Sequence, residues 1–235
     1  MHLSVRLSAA LVAVAALALS FGTRASAQST AAPTTGNGTY IAIDPLASVR
    51  YDNRFDISLG AASDHMKAGA TVYQGADLGG LDLSASYWFK KHWAVEGSGR
   101  AYLGTSGDGT TSAGSVRGPF VSQYLFVAGP EWLGPHNKHG AISAHVMAGG
   151  AYFDAHLGTY PAASENFYSN QIAPAAIIGG HIDLNRSARW VFRVTPDAVM
   201  THYSMDAIST TPKYSQFDVN FAISVGVEYK FSKKR

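Results

Sequence analysis

The sequence has no cysteine among its 235 residues, which excludes disulfide bonds, thiolate metal sites and a cysteine nucleophile. Charged residues are scarce, at 14% of the chain, where soluble domains average about a quarter. After residue 21 there is no long uninterrupted apolar run, so a helical membrane protein is not expected. Glycine (24), tyrosine (12) and phenylalanine (11) are plentiful, which favours an all-β or membrane class.

The first 27 residues have the composition of a secretory signal peptide. A basic start, an apolar centre at residues 7–21 and the sequence Ala25-Ser26-Ala27 predict cleavage after Ala27. An uncleaved anchor is less favoured, because a spanning helix needs roughly 20 apolar residues. Cleavage would remove two of the 18 basic residues and none of the 16 acidic ones. The mature chain is then close to neutral, and nucleic acid is not an expected partner.

From residue 53 onward, segments with apolar residues at every second position alternate with turn-rich segments. In the clearest case, residues 214–231 have one apolar face and one face of polar or small residues. A period of two is typical of β-strands. The pattern predicts eight strands, at residues 53–63, 79–89, 92–103, 119–132, 140–154, 172–184, 188–203 and 214–231. Two of them, 119–132 and 140–154, are apolar on both faces in places, so their inward faces stay undetermined.

The connections between the predicted strands alternate between long and short. Outer-membrane barrels have this plan, with long loops outside, short turns in the periplasm, and tilted strands of about 9–11 residues crossing the bilayer. We therefore predict an all-β, transmembrane antiparallel up-and-down β-barrel of about eight strands at residues 53–231. A flexible periplasmic leader (28–52) is expected before it and a basic tail (232–235) after it. Within the leader, residues 39–50 have two alternatives, a short strand or packing at the barrel mouth.

Alternation alone would equally suit a soluble sandwich or a lipocalin-like barrel with its apolar face inward. The charges favour the membrane alternative, because acids and arginines share the non-apolar face, where a narrow interior would require them to pair. Those charged residues are Asp56, Asp82, Glu96, Arg100, Asp183, Arg189, Arg193, Asp218 and Glu228. Aromatic residues near the strand ends also fit the girdles that membrane barrels place at the lipid interfaces.

The last strand contains a polar-x-Gly-x-x-aromatic-x-aromatic pattern, formed by Ser224, Gly226, Tyr229 and Phe231. This pattern resembles the signal by which the assembly machinery of the outer membrane recognises its barrels. Such chains commonly end on the last aromatic residue, whereas this one continues for four more residues.

Three short motifs support a family resemblance: residues 126–131 (Phe-Val-Ala-Gly-Pro-Glu), residues 179–184 (Gly-Gly-His-Ile-Asp-Leu) and the closing residues 225–231. With them, residues 53–231 resemble the eight-stranded OmpA-like and OmpX-like outer membrane β-barrel families. The resemblance implies a place in the bacterial outer membrane, with membrane lipid and the assembly machinery as partners. It also implies anchoring, adhesion or envelope integrity more often than catalysis.

Four charged residues are candidates for a network in the lumen: Glu96, Arg100, Asp183 and Arg193. They would either line a path for protons or small ions, or form salt bridges that fill the interior. We favour the second alternative, because eight-stranded barrels are just wide enough for their side chains to fill.

The positions of the nine histidines in the sequence do not indicate a metal or cofactor site. His136 and His139 occupy a turn without an evident third ligand, and turn formation explains that segment better. His145 and His181 are expected to face inward as hydrogen-bonded interior histidines. No cofactor is expected.

A lipid-modifying enzyme at the outer rim is the least favoured function. Ser204, His202 and Asp206, or Asp64 with His65, lie at outer strand ends, but no Gly-x-Ser-x-Gly motif accompanies them. We expect a non-catalytic envelope protein that contacts a surface ligand, polysaccharide or protein through its long loops. A narrow porin-like pore with little conductance is the main alternative. The loop composition does not identify a ligand.

Overall fold

The structure, a computed structural model, describes residues 44–69, 75–106, 109–111, 114–116, 120–156, 168–205 and 214–231. The predicted signal peptide, the first part of the predicted leader, Asp206 and the basic tail lie outside these residues. Among the described residues, no helix has the length and apolar character needed to cross a membrane.

Eight long strands of the described chain form a closed antiparallel barrel. In chain order they are β1 (Phe55–Lys67), β2 (Gly75–Lys90), β3 (Trp93–Ser106), β6 (Phe120–His136), β7 (Gly140–Ala155), β8 (Gln171–Asn185), β9 (Trp190–Met205) and β10 (Tyr214–Phe231). Two short strands, β4 (Gly109–Thr111) and β5 (Gly114–Val116), pair with each other in the connection between β3 and β6. Around the ring the order is β1-β10-β9-β8-β7-β6-β3-β2.

This architecture confirms the predicted fold class, and each of the eight predicted strands is present. Several strands extend further toward the long connections than predicted. β1 and β2, for example, stay paired as far as Lys67 opposite Gly75. The extra residues are mainly polar or small, so they lack the apolar alternation on which the prediction rested, whereas the pairing itself needs only backbone hydrogen bonds. The β4–β5 hairpin was not predicted for the same reason.

The outer surface of the barrel is apolar along the middle of every long strand. Leu81 is 59% exposed and Val146 53% exposed, although both lie mid-strand. Asp82 next to Leu81, and His145 and Met147 beside Val146, point inward and are buried. Soluble monomers rarely expose contiguous apolar patches larger than a few hundred Å². The apolar face therefore points outward, and the barrel is a transmembrane one.

Exposed aromatic rings gather at the end of the barrel where the strand connections are short. Phe55 and Tyr87 lie with ring centroids 4.9 Å apart, and Tyr229 lies 5.0 Å from both Trp190 and Phe231. Such a ring of aromatic side chains is typical of the interface between lipid tails and headgroups. The other end of the barrel carries the four long connections.

The seam between the first and last strands is built from two facing glycines, Gly60 on β1 and Gly226 on β10. A Cβ atom on Gly226 would lie 2.1 Å from the carbonyl oxygen of Leu59 and 2.4 Å from the Cα atom of Gly60. Real Cβ contacts do not come this close. The ring therefore closes in this geometry only with glycine at position 226.

Residues 44–54 lie across the short-turn end of the barrel. The Tyr51 hydroxyl donates to the carbonyl oxygen of Asn137 (3.1 Å) and accepts from Asn185 Nδ2 (2.8 Å). Burial raises the pKa of Tyr51 above its ordinary value. Asp44 accepts the backbone N–H of Leu46 and pairs with Lys138 (3.1 Å), and both interactions lower the pKa of Asp44. Of the two alternatives for residues 39–50, the described part is a turn at the barrel mouth.

Candidate functional site

The lumen of the barrel has two halves of different chemistry. Near the short turns, polar and charged side chains from all eight strands point inward and are buried. Near the long connections, the interior contains aromatic and aliphatic side chains together with a few polar ones. The alternation along each strand produces both halves, because every second residue must point into a space that is only wide enough for side chains.

Carboxylates outnumber basic groups in this lumen. Among the described residues, nine carboxylic acids are buried inside the barrel, and only three lysines or arginines join them. The acids are Asp56, Asp64, Asp82, Glu96, Glu131, Asp183, Asp197, Asp218 and Glu228, and the bases are Arg100, Arg193 and Lys230. The interior is therefore not a balanced set of ion pairs, and protons or cations must compensate part of the acidic excess.

Arg193 holds the carboxylates nearest the short-turn mouth. Its Nε and Nη2 atoms donate to the two carboxylate oxygens of Asp183, at 2.8 and 3.0 Å, and Nη2 also donates to Glu228 at 2.9 Å. The Arg193–Asp183 contact is the two-point geometry for which a guanidinium is suited. Two members of the predicted network, Asp183 and Arg193, thus lie in direct contact across β8 and β9.

Arg100 crosses the middle of the lumen. It pairs with Asp82 on the neighbouring strand (3.4 Å) and donates to Asp197 on β9. Three strands separate β3 from β9 on each side of the ring, so this contact joins opposite walls. Gly179 leaves room for the Asp197 carboxylate, since a Cβ atom there would lie 1.8 Å from Asp197 Oδ1.

Glu96, the fourth member of the predicted network, does not contact Arg100 but lies beside two histidines. Its Oε2 atom is 2.9 Å from His145 Nδ1 and 3.2 Å from His181 Nε2, and those two nitrogens are 3.2 Å apart. The other ring nitrogens lie 2.9 Å from Asp197 Oδ1 (His145) and 2.9 Å from Thr195 Oγ1 (His181). All three residues of the cluster are at most 2% exposed.

Sequence analysis missed Asp197, which joins Arg100 to His145. The signal was present, because Arg193, Thr195 and Asp197 occupy successive inward positions of β9. Sequence analysis listed Arg193 among the inward charges of this strand and left Asp197 out. Arg189, in contrast, was expected to face the lumen but is exposed in the turn before β9. The two-residue alternation of side chains holds only within a strand. Arg189 lies in a turn, so its side chain need not point inward.

The half of the lumen near the long connections contains a cluster of aromatic side chains. Phe153, Tyr168 and Tyr203 lie with ring centroids 5.1–6.0 Å apart, and Gln123 Nε2 on β6 donates to the Tyr203 hydroxyl (2.9 Å). Asp64 is buried near this cluster, and its carboxylate has no hydrogen-bond partner among the described side chains.

The residues considered for a rim enzyme have separate partners. Ser204 Oγ donates to Gln171 Oε1 (3.0 Å), whereas His202 Nε2 lies 2.6 Å from Ser215 Oγ. Asp64 points inward, and His65 pairs outside with Asp77 (2.6 Å). In the turn at 136–139, the His136 ring contacts the Tyr51 ring and His139 is exposed.

The four residues of the polar-x-Gly-x-x-aromatic-x-aromatic pattern in the last strand lie in different parts of the barrel. Ser224 Oγ points inward and donates to Asp82 (2.9 Å), and Gly226 lies at the seam described above. Tyr229 and Phe231 belong to the band of exposed aromatic side chains at the short-turn end. A role in recognition by the assembly machinery stays a prediction.

These features define the fold of the small eight-stranded outer-membrane β-barrels. OprG from Pseudomonas aeruginosa superposes with a TM-score of 0.55 at 14% identity, over 79% of this chain and 99% of that one. Neisserial surface protein A gives a TM-score of 0.46 at 14% identity (75% and 97% covered), and Ail of Yersinia pestis 0.43 at 17% identity (76% and 99%). No protein-family model and no curated protein sequence matches the chain.

Proposed function

We propose that the chain is a bacterial outer-membrane protein whose barrel is a closed, non-catalytic anchor for its long connections, which face the cell exterior. Two features support insertion in a bilayer: the belt of exposed apolar side chains around the middle of the barrel, and the band of exposed aromatic side chains at its short-turn end. The likeness to OprG supports the same fold. The absence of a nucleophile motif supports a role without catalysis.

The observation that carries this proposal is the contact between Arg100 and Asp197 from opposite walls of the barrel. Side chains that meet across the full width of the lumen obstruct a water path at that level. The histidine cluster lies beside this contact through Asp197, and the aromatic cluster follows toward the long connections. A narrow pore is therefore the less favoured function.

Recordings in planar lipid bilayers test closure. The refolded mature protein is expected to show no sustained channel conductance, and its folded state is verified by faster gel migration before boiling. The variant Arg100→Ala/Asp197→Ala removes both groups of the cross-lumen contact and is expected to raise the frequency of openings. Large, sustained conductance of the unmodified protein would contradict the proposal.

The cysteine-free sequence allows a direct test of orientation. Ser112→Cys lies in a long connection, and Lys91→Cys lies in the exposed turn between β2 and β3. A membrane-impermeant maleimide is expected to label Ser112→Cys in intact cells, and to label Lys91→Cys only after the outer membrane is permeabilised. The reverse pattern would place the long connections in the periplasm and remove a surface role.

A surface role predicts that the long connections are dispensable for the barrel but needed for interaction. Replacing residues 107–119 by a short Gly-Ser turn is expected to preserve the gel-migration shift. The same variant is expected to lose any adhesion or aggregation that the parent confers on cells. Unchanged adhesion would exclude that connection from the interaction.

A further inference from the structure

Three potential ligand atoms converge in the lumen: Glu96 Oε2, His145 Nδ1 and His181 Nε2. They form a triangle with sides of 2.9, 3.2 and 3.2 Å. Zinc binds histidine nitrogen at about 2.0–2.1 Å and carboxylate oxygen at about 2.0–2.2 Å. An ion at such distances from all three atoms fits just above the plane of this triangle.

From this geometry we propose that Glu96, His145 and His181 bind a divalent transition-metal cation, such as Zn²⁺, inside the barrel. The strands β3, β7 and β8 each supply one ligand. The turn histidines His136 and His139 are not part of this cluster.

The surroundings of the two histidines leave their inner nitrogens available for a metal. His145 Nε2 faces the Asp197 carboxylate, and His181 Nδ1 faces the Thr195 hydroxyl, each at 2.9 Å. A neutral imidazole has one N–H group, and an outer acceptor retains that proton on the outer nitrogen. The inner nitrogens then direct their lone pairs toward Glu96. The two nitrogens and the Glu96 oxygen are all acceptors, and a cation between them would satisfy all three.

A second, independent observation also points to a ligand. The other carboxylate oxygen of Glu96, Oε1, is buried and has no hydrogen-bond partner in the described part of the chain. An unpaired oxygen on a side chain with 0% exposure is costly unless it binds an ion or water. The acidic excess of the described lumen favours a cation at this position.

The donor types restrict the metal. Two imidazole nitrogens disfavour Mg²⁺ and Ca²⁺, which prefer oxygen ligands, and no cysteine is present to select Cu⁺. Two histidines with one carboxylate suit Zn²⁺ and its neighbours Co²⁺, Ni²⁺ and Cu²⁺. Water would complete the coordination of such an ion. Glu131 Oε1 lies 3.9 Å from His181 Nε2 but is not one of the three converging atoms.

Glu131 also lies on the route by which an ion would enter. It lines a cavity of about 300 Å³ at the short-turn mouth, together with Asp56, Asp183 and Glu228. The lining also includes the basic residues Arg54, Lys90, Lys91, Arg193 and Lys230, so its charge is mixed. Glu131 connects this cavity to the cluster, because its Oε1 atom lies 3.9 Å from His181 Nε2. Entry is therefore expected from the short-turn side.

Metal titration of the refolded full-length mature protein, stripped with EDTA, tests this proposal. Co²⁺ is expected to bind with a stoichiometry of one and to give the visible absorption of a low-coordinate site, and Zn²⁺ is expected to displace it. The metal is supplied both during and after refolding, so that slow entry into the closed barrel is not mistaken for absence of a site.

Variants assign the binding to this cluster. Glu96→Gln and His181→Gln each remove one ligand and are expected to abolish stoichiometric binding, whereas Asp197→Asn is expected to weaken it by about 10–100-fold. The control His136→Gln/His139→Gln is expected to bind like the parent. Every variant is first shown to keep the gel-migration shift, and Glu96→Gln and His181→Gln serve as substitutes for each other if one does not fold.

Two results would overturn the proposal. The first is a folded parent protein that binds neither Co²⁺ nor Zn²⁺ under either loading protocol, which would make the cluster a hydrogen-bond network without a metal. The second is binding that survives Glu96→Gln and His181→Gln, or that disappears in the His136/His139 control.

Discussion

Replacing Gly226 by alanine tests how the barrel closes. A Cβ atom at this position would lie 2.1 Å from the carbonyl oxygen of Leu59, and backbone atoms cannot move aside as the end of a flexible side chain can. The β1–β10 seam must therefore widen locally or shift its register. Overpacking of this kind costs about 1–3 kcal/mol, and the rigid backbone neighbour places Gly226→Ala toward the upper end of that range.

Gly97→Ala is the matched control. Gly97 is also a mid-strand glycine, but it faces outward, and a Cβ atom there meets nothing within 4 Å. Glycine weakens a strand interior by roughly 0.5–1 kcal/mol relative to alanine, so this control is expected to be neutral or slightly stabilising. The same chemical change is thus expected to destabilise the barrel at position 226 and not at position 97.

The assay is urea unfolding of the refolded mature protein in detergent, followed by tryptophan fluorescence and gel migration. Refolding without the assembly machinery separates seam packing from signal recognition, since Gly226 belongs to both features. A Gly226→Ala protein as stable as the parent in vitro, yet poorly inserted in cells, would refute the packing argument and assign Gly226 to recognition.

Three further changes test the mouth of the lumen. Arg193→Met leaves two buried carboxylates without their arginine and is expected to lower the free energy of unfolding in urea by about 3–5 kcal/mol. Arg189→Met, in the exposed turn, is the control and should change it little. Equal effects of the two variants would contradict the buried network. Trp88→Phe removes the 2.6 Å hydrogen bond from the indole N–H to Asp56 and is expected to cost about 1–2 kcal/mol by the same measurement; no loss would mean that this bond does not contribute. Tyr51→Phe is expected to cost about 1 kcal/mol at pH 7. Because burial raises the pKa of Tyr51, this difference should be fully present below pH about 10, the pKa of an unfolded tyrosine, and should vanish as the pH rises through the raised pKa; a difference that grows with pH would have the wrong sign.

The features that sequence analysis predicted are those governed by the two-residue period. The apolar alternation of residues 214–231 identifies one strand without knowledge of any other, and the same local pattern places Glu96, Arg100 and His181 on inward faces. The number of strands and the alternation of long and short connections follow from the spacing of these segments. None of this information depends on which strands are opposite each other in the barrel.

The contacts across the lumen were not predicted, because they depend on strand stagger. Sequence analysis placed Glu96 in one candidate network with Arg100, four residues away on the same strand. In the structure it meets His181, 85 residues away, while Arg100 reaches Asp197, 97 residues away. Which inward residues share a level depends on the shear of the closed sheet, and the alternation within one strand contains no information on that quantity.

The placement of the histidine cluster couples any bound ion to closure of the ring. Glu96, His145 and His181 come from three different strands and meet only when the barrel has formed. A ligand that binds the folded chain and not the unfolded one stabilises the folded state in proportion to the logarithm of its concentration. An ion in this cluster would therefore hold β3, β7 and β8 together from inside, while the Gly60–Gly226 seam closes the same ring from its two ends. The polar half of the lumen would then stabilise the barrel from inside, as the apolar belt does from outside. Both depend on the same alternation of residues along the strands.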